Sequence, residues 1–370
     1  MRPLLVIFIS LAAVAAAQTP APRPAVVLAN DKLELTIALR GGAMNRLVLK
    51  GDPEQLSPFG DPAVMGRTLG HFVCVDGFGD PSPEERAAGL PGHGEAQRQN
   101  WEIVSQGKQG AVNTVKFLVN LPIVQENFTR QLRMVDGEQV VYIDSELESL
   151  LGFDRPINWG EHATIAAPFL EPEKLAVDLS GTRSKTRDHA TVPQKVPYLL
   201  ASFQDFTWPM APTMAGGTRD IRTAPAEHNA IDHVTTLLDP GRRLAFATAL
   251  NTTRNYLLGY VFRTAEYPWL QDWQSYTTGP RLNRGLEFAT QPFDVPRHDV
   301  IETNRMFDAP VYRWLPAKSK IGSRILMFWT RVPEGMTHID DVRLEGGGLV
   351  IEDRAAGKRV VLAASLGMLD

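Results

Sequence analysis

Hydrophobic and polar residues alternate with a period of two along most of the chain. The alternation, or an enrichment in β-branched and aromatic residues, marks segments 33–39, 114–121, 127–135, 139–149, 243–250, 255–262, 324–332 and 358–364. Turn-forming sequences such as Asp136-Gly137 and Asp239-Pro240-Gly241 lie between them. Many short strands at close spacing predict an all-β protein, built as a large antiparallel β-sandwich.

Few stretches favour helix, because 30 glycines and 27 prolines interrupt the chain. Segments 81–90 and 338–347 are predicted as short helices or helical turns. Segment 178–235 is the most polar and irregular part, and we predict an elaborated loop region there. Since no clear boundary appears after the N-terminal region, residues 26–370 are predicted to form a single domain.

The N-terminal residues have the features of a secretory signal peptide. Arg2 precedes an apolar run from Leu4 to Ala16, and Ala15-Ala16-Ala17 offers a cleavage site. We therefore predict a signal peptide at 1–17, a proline-rich lead at 18–25, and export to the periplasm or the extracellular space. An uncleaved N-terminal anchor is the alternative, although the run is short for a membrane span. After removal of the signal peptide no membrane attachment is expected.

Composition excludes several classes of function. The net charge is −4 and no basic run occurs, so no nucleic-acid partner is expected. Cys74 is the only cysteine, which rules out an intrachain disulfide. The sequence contains no zinc-binding spacing, phosphate-binding loop, dinucleotide fingerprint or GxSxG elbow, so neither a metal nor a cofactor is expected. The oligomeric state is not defined by the sequence.

The first candidate site is the segment Gly89–Trp101, "GLPGHGEAQRQNW". Its histidine, His93, lies between two glycines, so the backbone can approach a ligand closely. Gln97 and Arg98 offer hydrogen bonds, and Trp101 offers a flat apolar face suited to a sugar ring. The alternative is a glycine-rich turn with a solvated histidine.

Two further segments combine titratable and aromatic residues. His162 lies in "INWGEHATIAAPF"; a lone histidine is more often structural than catalytic, so a catalytic role requires neighbours in space that complete a site. In segment 267–296, Trp269 and Asp272 are candidate ligand-binding residues. Glu287 lies between Leu286 and Phe288, so in a strand it faces away from its apolar neighbours and into a cleft. The alternatives are a solvent-facing Glu287 paired with an arginine (Arg284 or Arg297), and tryptophans that belong to the core.

The order of these segments resembles the aldose 1-epimerase, or galactose mutarotase-like, superfamily. The resemblance is carried by "VVLANDKLELTIALRGGAMNRLVLKG" (26–51), "GHGEAQRQNWEI" (92–103), "ENFTRQLRMVDGEQVVYIDSELES" (126–149), "NWGEHATIAAPF" (158–169), "GLEFATQPFDVP" (285–296) and "APVYRWLPAKSKIGSRILMFW" (309–329). Members are large antiparallel β-sandwiches, called supersandwiches, that bind sugars in a cleft across a sheet. The resemblance therefore implies this fold and a mono- or oligosaccharide partner.

The resemblance also implies residue roles. Glu287 would be the general base that takes the proton from the C1 hydroxyl, and His162 the general acid that protonates the ring oxygen. His93 would bind the sugar near that oxygen, with Arg98 or Gln97 on a neighbouring hydroxyl and Trp101 packed nearby. The chain departs from the hexose-6-phosphate branch, where an arginine follows the first histidine by four residues, because Gln97 occupies that position.

Two other functions remain open on the sequence. A non-catalytic carbohydrate-binding protein on the same scaffold would keep an aromatic cleft but displace the acid or the base. A polysaccharide-cleaving enzyme would need two carboxylates at a defined separation, for which Asp272 and Glu287 are the candidate pair.

Overall fold

The computed structural model describes residues 24–66, 68–227 and 229–366, and the predicted signal peptide lies outside them. Strands dominate this part of the chain, as the period-two pattern predicts. The three helices are α1 (Pro62–Met65), α2 (Pro83–Ala87) and α3 (Arg297–Thr303). The strands are β1 (Ala25–Ala29), β2 (Leu33–Ala38), β3 (Met44–Leu49), β4 (His71–Val75), β5 (Glu102–Gln109), β6 (Val112–Leu121), β7 (Glu126–Val135), β8 (Val140–Ser149), β9 (Arg155–Ile157), β10 (Trp159–Ala166), β11 (Leu175–Leu179), β12 (Gly181–Thr186), β13 (Asp205–Thr207), β14 (Met210–Pro212), β15 (Thr218–Asp220), β16 (Ala230–Leu238), β17 (Leu244–Asn251), β18 (Tyr256–Arg263), β19 (Trp269–Tyr276), β20 (Asn283–Ala289), β21 (Arg305–Met306), β22 (Ala309–Pro310), β23 (Arg313–Leu315), β24 (Lys320–Arg331), β25 (Asp341–Glu345), β26 (Gly348–Asp353) and β27 (Lys358–Ala363).

Two large antiparallel sheets form the body of the protein. The first has ten strands in the order β1-β2-β3-β4-β10-β20-β19-β16-β12-β13, and the second has eight in the order β11-β17-β18-β24-β8-β7-β6-β5. Apolar side chains from both sheets form the main core cluster, for example Leu35 and Leu286 from the first and Ile143 and Trp329 from the second. Burying one face of each sheet against the other explains the alternation in β2, β6 and β7.

A three-stranded sheet, β25-β26-β27, covers part of the outer face of the eight-stranded sheet. The short helix or helical turn predicted in segment 338–347 is wrong, because residues Asp341–Glu345 form strand β25. Val342 and Leu344 of this strand point into a second apolar cluster that includes Tyr142 and Phe328 of the large sheet. The helix predicted in 81–90 is present as α2, whose Ser82 and Glu85 form a capping box.

Segment 178–235 contributes more regular structure than the predicted loop region. It contains the end of β11, all of β12 to β15 and most of β16, and it extends the ten-stranded sheet at one edge. The two-stranded β14-β15 sheet belongs to the same segment. The longest stretch without regular structure is the connection between β12 and β13. The many polar residues of the segment hide its strands in the sequence.

Strand register puts side chains of four adjacent strands into one row across the ten-stranded sheet. His162 of β10 pairs with Phe72 of β4 on one side and with Glu287 of β20 on the other. Glu287 in turn pairs with Gln271 of β19. Because directly opposite residues share a face of an antiparallel sheet, this row points away from the main core.

The opposite face of the same strands buries a group of charged residues between the two sheets. Glu161 Oε2 lies 2.9 Å from His71 Nε2, and Glu161 Oε1 accepts a hydrogen bond from Arg130 at 2.5 Å. Trp159 Nε1 also donates to this carboxylate. Arg130 reaches it from β7 of the other sheet, so this ion pair connects the two layers of the sandwich.

In residues 24–366, apart from 67 and 228, no helix combines the length and the apolar character needed to span a bilayer.

Candidate functional site

Phe72, His162 and Glu287 of the outward row line a cavity of about 710 Å³ on the ten-stranded sheet. Its lining combines titratable, amide and aromatic side chains: Phe72, His93, Gln97, Arg98, His162, Arg187, Gln194, Trp273, Glu287 and Asp294. The volume suits a small organic ligand, and the polar groups converge from several strands and loops. Five of the predicted site residues, His93, Gln97, Arg98, His162 and Glu287, are therefore brought together.

His162 and Glu287 are neighbours at the floor of the cavity. Nε2 of His162 lies 3.1 Å from Oε1 of Glu287, and both side chains are almost completely buried. Leu286 and Phe288 point into the core, so the alternation expected around Glu287 is present. The arginines considered as its partners are engaged elsewhere, because Arg284 binds Asp272 and Arg297 binds Asp76.

A glycine on the same strand makes room for the Glu287 carboxylate. A Cβ atom at Gly285 would lie 2.1 Å from Glu287 Oε1. Any larger residue would therefore have to displace the carboxylate or the strand. Oε1 is buried and, among the described residues, accepts no hydrogen bond, so His162 Nε2 at 3.1 Å is its polar neighbour.

Neighbouring rings and a hydroxyl hold His162 in place. Its ring stacks on Phe72 at a centroid distance of 4.4 Å and meets Trp273 edge-on at 6.0 Å. Thr164 Oγ1 lies 2.9 Å from Nδ1. The ring can therefore direct Nε2 only towards Glu287 and the cavity.

Burial moves the two pKa values in opposite directions. Loss of solvation lowers the pKa of His162 well below its ordinary value, and the nearby His93 acts in the same direction. Loss of solvation also raises the pKa of Glu287 well above its ordinary value, and the negative charge of Asp294 adds to this. Both shifts favour the uncharged form of each group, which is a neutral imidazole beside a carboxyl that carries the single proton of the pair.

His93 enters the cavity from a tight turn in the predicted first segment. Its backbone is left-handed at φ 62°, and a Cβ atom at the following Gly94 would lie 2.3 Å from the Val75 carbonyl oxygen. The Gly79 N–H donates to His93 Nδ1 at 3.3 Å. A neutral His93 therefore carries its proton on Nε2, where it is available to a ligand oxygen. The ring centroid lies 5.4 Å from that of His162.

Three predicted ligand-binding residues are not in the cavity lining, which corrects the expectation for each. Trp101 packs in the core against Phe117 and Phe128, and its Nε1 donates to the Ala96 carbonyl at 2.9 Å. Trp269 is covered by the segment around α3, where its Nε1 donates to the Pro310 carbonyl at 2.8 Å.

Asp272 is the third of these residues. It pairs with Leu286 and Val234, which both face the core, and it is neutralised by Arg284 at 2.7 Å. It therefore faces the opposite side of the sheet from Glu287. The carboxylate pair required for polysaccharide cleavage is not formed by these two residues.

Sequence reasoning missed three charged residues of the cavity, Arg40, Arg187 and Asp294, and assigned no site role to Trp273, the tryptophan that lines it. Asp294 follows β20, and its carboxylate contacts the guanidinium of Arg187, which follows β12. Arg187 lies in the segment predicted as loop. No short-range pattern relates positions 187 and 294, so only the fold reveals the contact.

The arrangement resembles solved structures at low sequence identity. A galactose mutarotase related enzyme from Lactobacillus acidophilus is 12% identical with a TM-score of 0.56, over 87% of this chain and 100% of that one. A galactose mutarotase-like protein from Clostridium acetobutylicum is 14% identical with a TM-score of 0.56, over 83% of this chain and 95% of that one. One from Lactobacillus casei is 14% identical with a TM-score of 0.54, over 83% of this chain and 100% of that one. No protein-family model and no curated protein sequence matches the chain.

These similarities identify the fold. The chain has the galactose mutarotase-like β-sandwich, as the resemblance in sequence predicted. At such identities a shared fold does not transfer residue roles or substrates. The activity must therefore be argued from the cavity itself.

Proposed function

We propose that this protein interconverts the anomers of a sugar by acid–base catalysed ring opening and closure, without a metal or redox cofactor. The observation that carries the proposal is the pairing of His162 with Glu287, whose Nε2 and Oε1 atoms lie 3.1 Å apart in the cavity. Ring opening of a hemiacetal needs one proton removed and one delivered at neighbouring oxygens. An imidazole and a carboxyl at this separation can reach both.

The steps follow from the single proton of the pair. Transfer of this proton from Glu287 to His162 gives a carboxylate beside an imidazolium. Glu287 then takes the proton of the C1 hydroxyl, His162 protonates the ring oxygen, and the bond between C1 and the ring oxygen breaks. Rotation about C1–C2 in the open aldehyde, followed by the reverse proton transfers, closes the other anomer. The raised pKa makes the Glu287 carboxylate a stronger base than an ordinary one.

The other lining residues supply binding. The Nε2–H of His93 is directed to a sugar oxygen beside His162, and Gln97 and Arg98 offer donors at the neighbouring wall. Trp273, partly exposed in the cavity, supplies the apolar face for the sugar C–H groups. Together these groups can orient one ring over the acid–base pair.

Polarimetry of freshly dissolved α-glucose and α-galactose tests the proposal, with a wider aldose panel followed by exchange NMR. The wild type should accelerate mutarotation, and Glu287→Gln should lose about 10²–10⁴-fold of that rate because the amide cannot take a proton. Glu334→Gln is the matched control, since Glu334 is exposed in a distant turn. Equal rates for the wild type and Glu287→Gln would contradict the role of Glu287.

A binding-only protein on this scaffold is the alternative from the sequence. That function predicts a displaced acid or base, whereas His162 and Glu287 are adjacent in the cavity. This arrangement supports the enzyme. Tight binding of an aldose without acceleration of its mutarotation would reverse the preference.

The proposal includes export to the periplasm or extracellular space, supported by the charged start, apolar run and alanine-rich site within residues 1–17. N-terminal sequencing of the protein from secreting cells should give Gln18 as the first residue. A protein that begins at Met1 in the cytosolic fraction would contradict it.

A further inference from the structure

A second group of charged residues lies in the wall of the cavity, beside the acid–base pair. The Arg187 guanidinium contacts both the Asp294 carboxylate and the His233 imidazole. His233 Nδ1 lies 3.0 Å from Asp294 Oδ1. The Arg187 and His233 side chains are 6% and 1% exposed, whereas Asp294 retains 20% exposure.

The contacts leave one side of the carboxylate available. Arg187 and His233 both approach Asp294 at Oδ1. Asp294 lines the cavity and keeps a fifth of its side chain exposed, while both ion-pair contacts are made at Oδ1 and not at Oδ2. Burial alone would raise the pKa of Asp294, but the charge of Arg187 outweighs it and holds this pKa below its ordinary value. The group therefore presents a fixed hydrogen-bond acceptor to the cavity.

Burial of this charged cluster lowers the stability of the fold. Removing an arginine and a carboxylate from water costs several kcal/mol per ion before their attraction is counted. Arg187 Nε and His233 Nε2 also have no hydrogen-bond partner among the described residues. An apolar wall would avoid both costs, so the cluster suggests a role in recognition.

The cluster faces the same volume as the acid–base pair. His233 of β16 pairs with Trp273 of β19, whose ring meets that of His162. Close packing joins the Asp294 loop to the turn of His93, because a Cβ atom at Gly79 would lie 2.2 Å from the Asp294 carbonyl oxygen. The Gly79 carbonyl in turn accepts the N–H of His93. A ring bound over Glu287 therefore lies between these walls.

We propose that Asp294, held by Arg187 and His233, is a specificity-determining residue that accepts hydrogen bonds from hydroxyls of the bound sugar. The inference rests on the proposed function for the identity of the ligand as a sugar. Neutral hydroxyls are the matching donors, because one face of the carboxylate is already neutralised by Arg187. The residue would select sugars whose hydroxyls point towards this wall.

Monodeoxy sugars provide the test, with binding measured by calorimetry separately from mutarotation. The parent is the aldose of the panel that binds the wild type most tightly. Removal of one particular hydroxyl should weaken binding to the wild type about tenfold or more, as expected for a hydrogen bond to a charged group. In Asp294→Asn the same removal should cost less than about threefold, since the amide makes a neutral hydrogen bond.

Asp308→Asn is the matched control, because Asp308 is exposed and outside the cavity. It should retain the wild-type penalty for the deoxy sugar. Equal penalties in the wild type and Asp294→Asn at every ring position would overturn the proposal, as would a failure of every aldose to bind.

A second measurement needs no variant, in case Asp294→Asn does not fold. Fluorine accepts but does not donate a hydrogen bond, so the deoxyfluoro sugar should bind the wild type no better than the deoxy sugar at the critical position. Restored binding by fluorine would overturn the role of Asp294 as acceptor. Tight, hydroxyl-dependent binding without mutarotation would refute the proposed activity while leaving this recognition role supported.

Discussion

His162 Nε2 and Glu287 Oε1 lie 3.1 Å apart because the two residues occupy directly opposed positions of neighbouring antiparallel strands. Their geometry is therefore set by the backbone ladder of β10 and β20 rather than by a loop. A site on rigid strands keeps an acid and a base at a constant separation. The distance also makes the two groups titrate as one unit, since each proton changes the field at the other.

The pH dependence of mutarotation should be bell-shaped after subtraction of the spontaneous rate. As pH falls, the pair takes up a second proton and loses its base, and this limb should lie below the ordinary histidine pKa of about 6.5 because burial lowers the pKa of His162. As pH rises, the pair loses its last proton and its acid. That limb should lie above the ordinary glutamate pKa of about 4.3 because burial raises the pKa of Glu287.

The nearby charges predict how the alkaline limb moves. Apart from His162 itself, Glu287 experiences Asp294, Asp272 and Arg187, and the negative charge of Asp294 raises its pKa. In Asp294→Asn the alkaline limb should therefore shift to lower pH, measured as a pH–rate profile. Asp308→Asn should leave it in place. An unchanged limb in Asp294→Asn would show that this charge does not reach Glu287.

Gly285→Ala should impair catalysis without unfolding the protein. The added methyl group would lie 2.1 Å from Glu287 Oε1, so the carboxylate must move away from His162. A displacement of about 1 Å can cost roughly 10²-fold in rate. The measurement is kcat by polarimetry together with a thermal melt.

Gly107→Ala is the control for this prediction. Gly107 lies in β5, and a Cβ atom at this position would have no other atom within 4 Å. The activity and the melting temperature of Gly107→Ala should therefore stay close to those of the wild type. Full activity in Gly285→Ala would mean that the carboxylate position is not critical.

Arg130→Met should destabilise the fold strongly. The change leaves Glu161 buried with His71 but without the arginine that reaches it across the sandwich. Breaking a buried pair from one side costs about 3–5 kcal/mol of unfolding free energy. Arg133→Met on the same strand removes a partly exposed pair with Asp144 and should cost at most about 1 kcal/mol.

Urea unfolding of both variants measures the difference. Similar losses of unfolding free energy in the two variants would mean that the buried contact of Arg130 with Glu161 stabilises the fold no more than the pair of Arg133 with Asp144.

Trp273→Ala should weaken sugar binding by about threefold to tenfold, since the aromatic contact is worth roughly 0.5–1.5 kcal/mol. Calorimetry with the preferred aldose measures it. Trp314→Ala is the control, because Trp314 is 56% exposed and outside the cavity. Unchanged affinity in Trp273→Ala would exclude a stacking role.

The sequence predicts the sandwich well because alternation directly reflects burial on one face. The same rule predicts that Glu287 opposes Leu286 and Phe288, and the core contains both neighbours. The alternation rule fails at 338–347. Charged residues there mask strand β25, which packs against the large sheet with only one of its faces. Period two also does not say which of the two faces is the core, and Asp272 illustrates this limit.

Long-range packing determines the remaining parts of the site. The Trp101 side chain suits a sugar ring, yet it packs directly over Gly42. A Cβ atom at Gly42 would lie 2.4 Å from the Trp101 ring. Trp269 and Trp273 point to the same side of β19, and only the segment around α3 decides that one is covered and the other is not. Arg187 and Asp294 meet across more than a hundred positions. No local sequence pattern predicts such contacts.

The cover formed by β25, β26 and β27 has a consequence during folding. Tyr142, Phe246 and Phe328 present apolar surface that residues from Met336 to Ala364 bury. A folding intermediate in which the large sheets have formed and these three strands have not docked exposes that surface and is prone to aggregate. The yield of the protein in cells should therefore depend on holdase chaperones more than its final stability suggests.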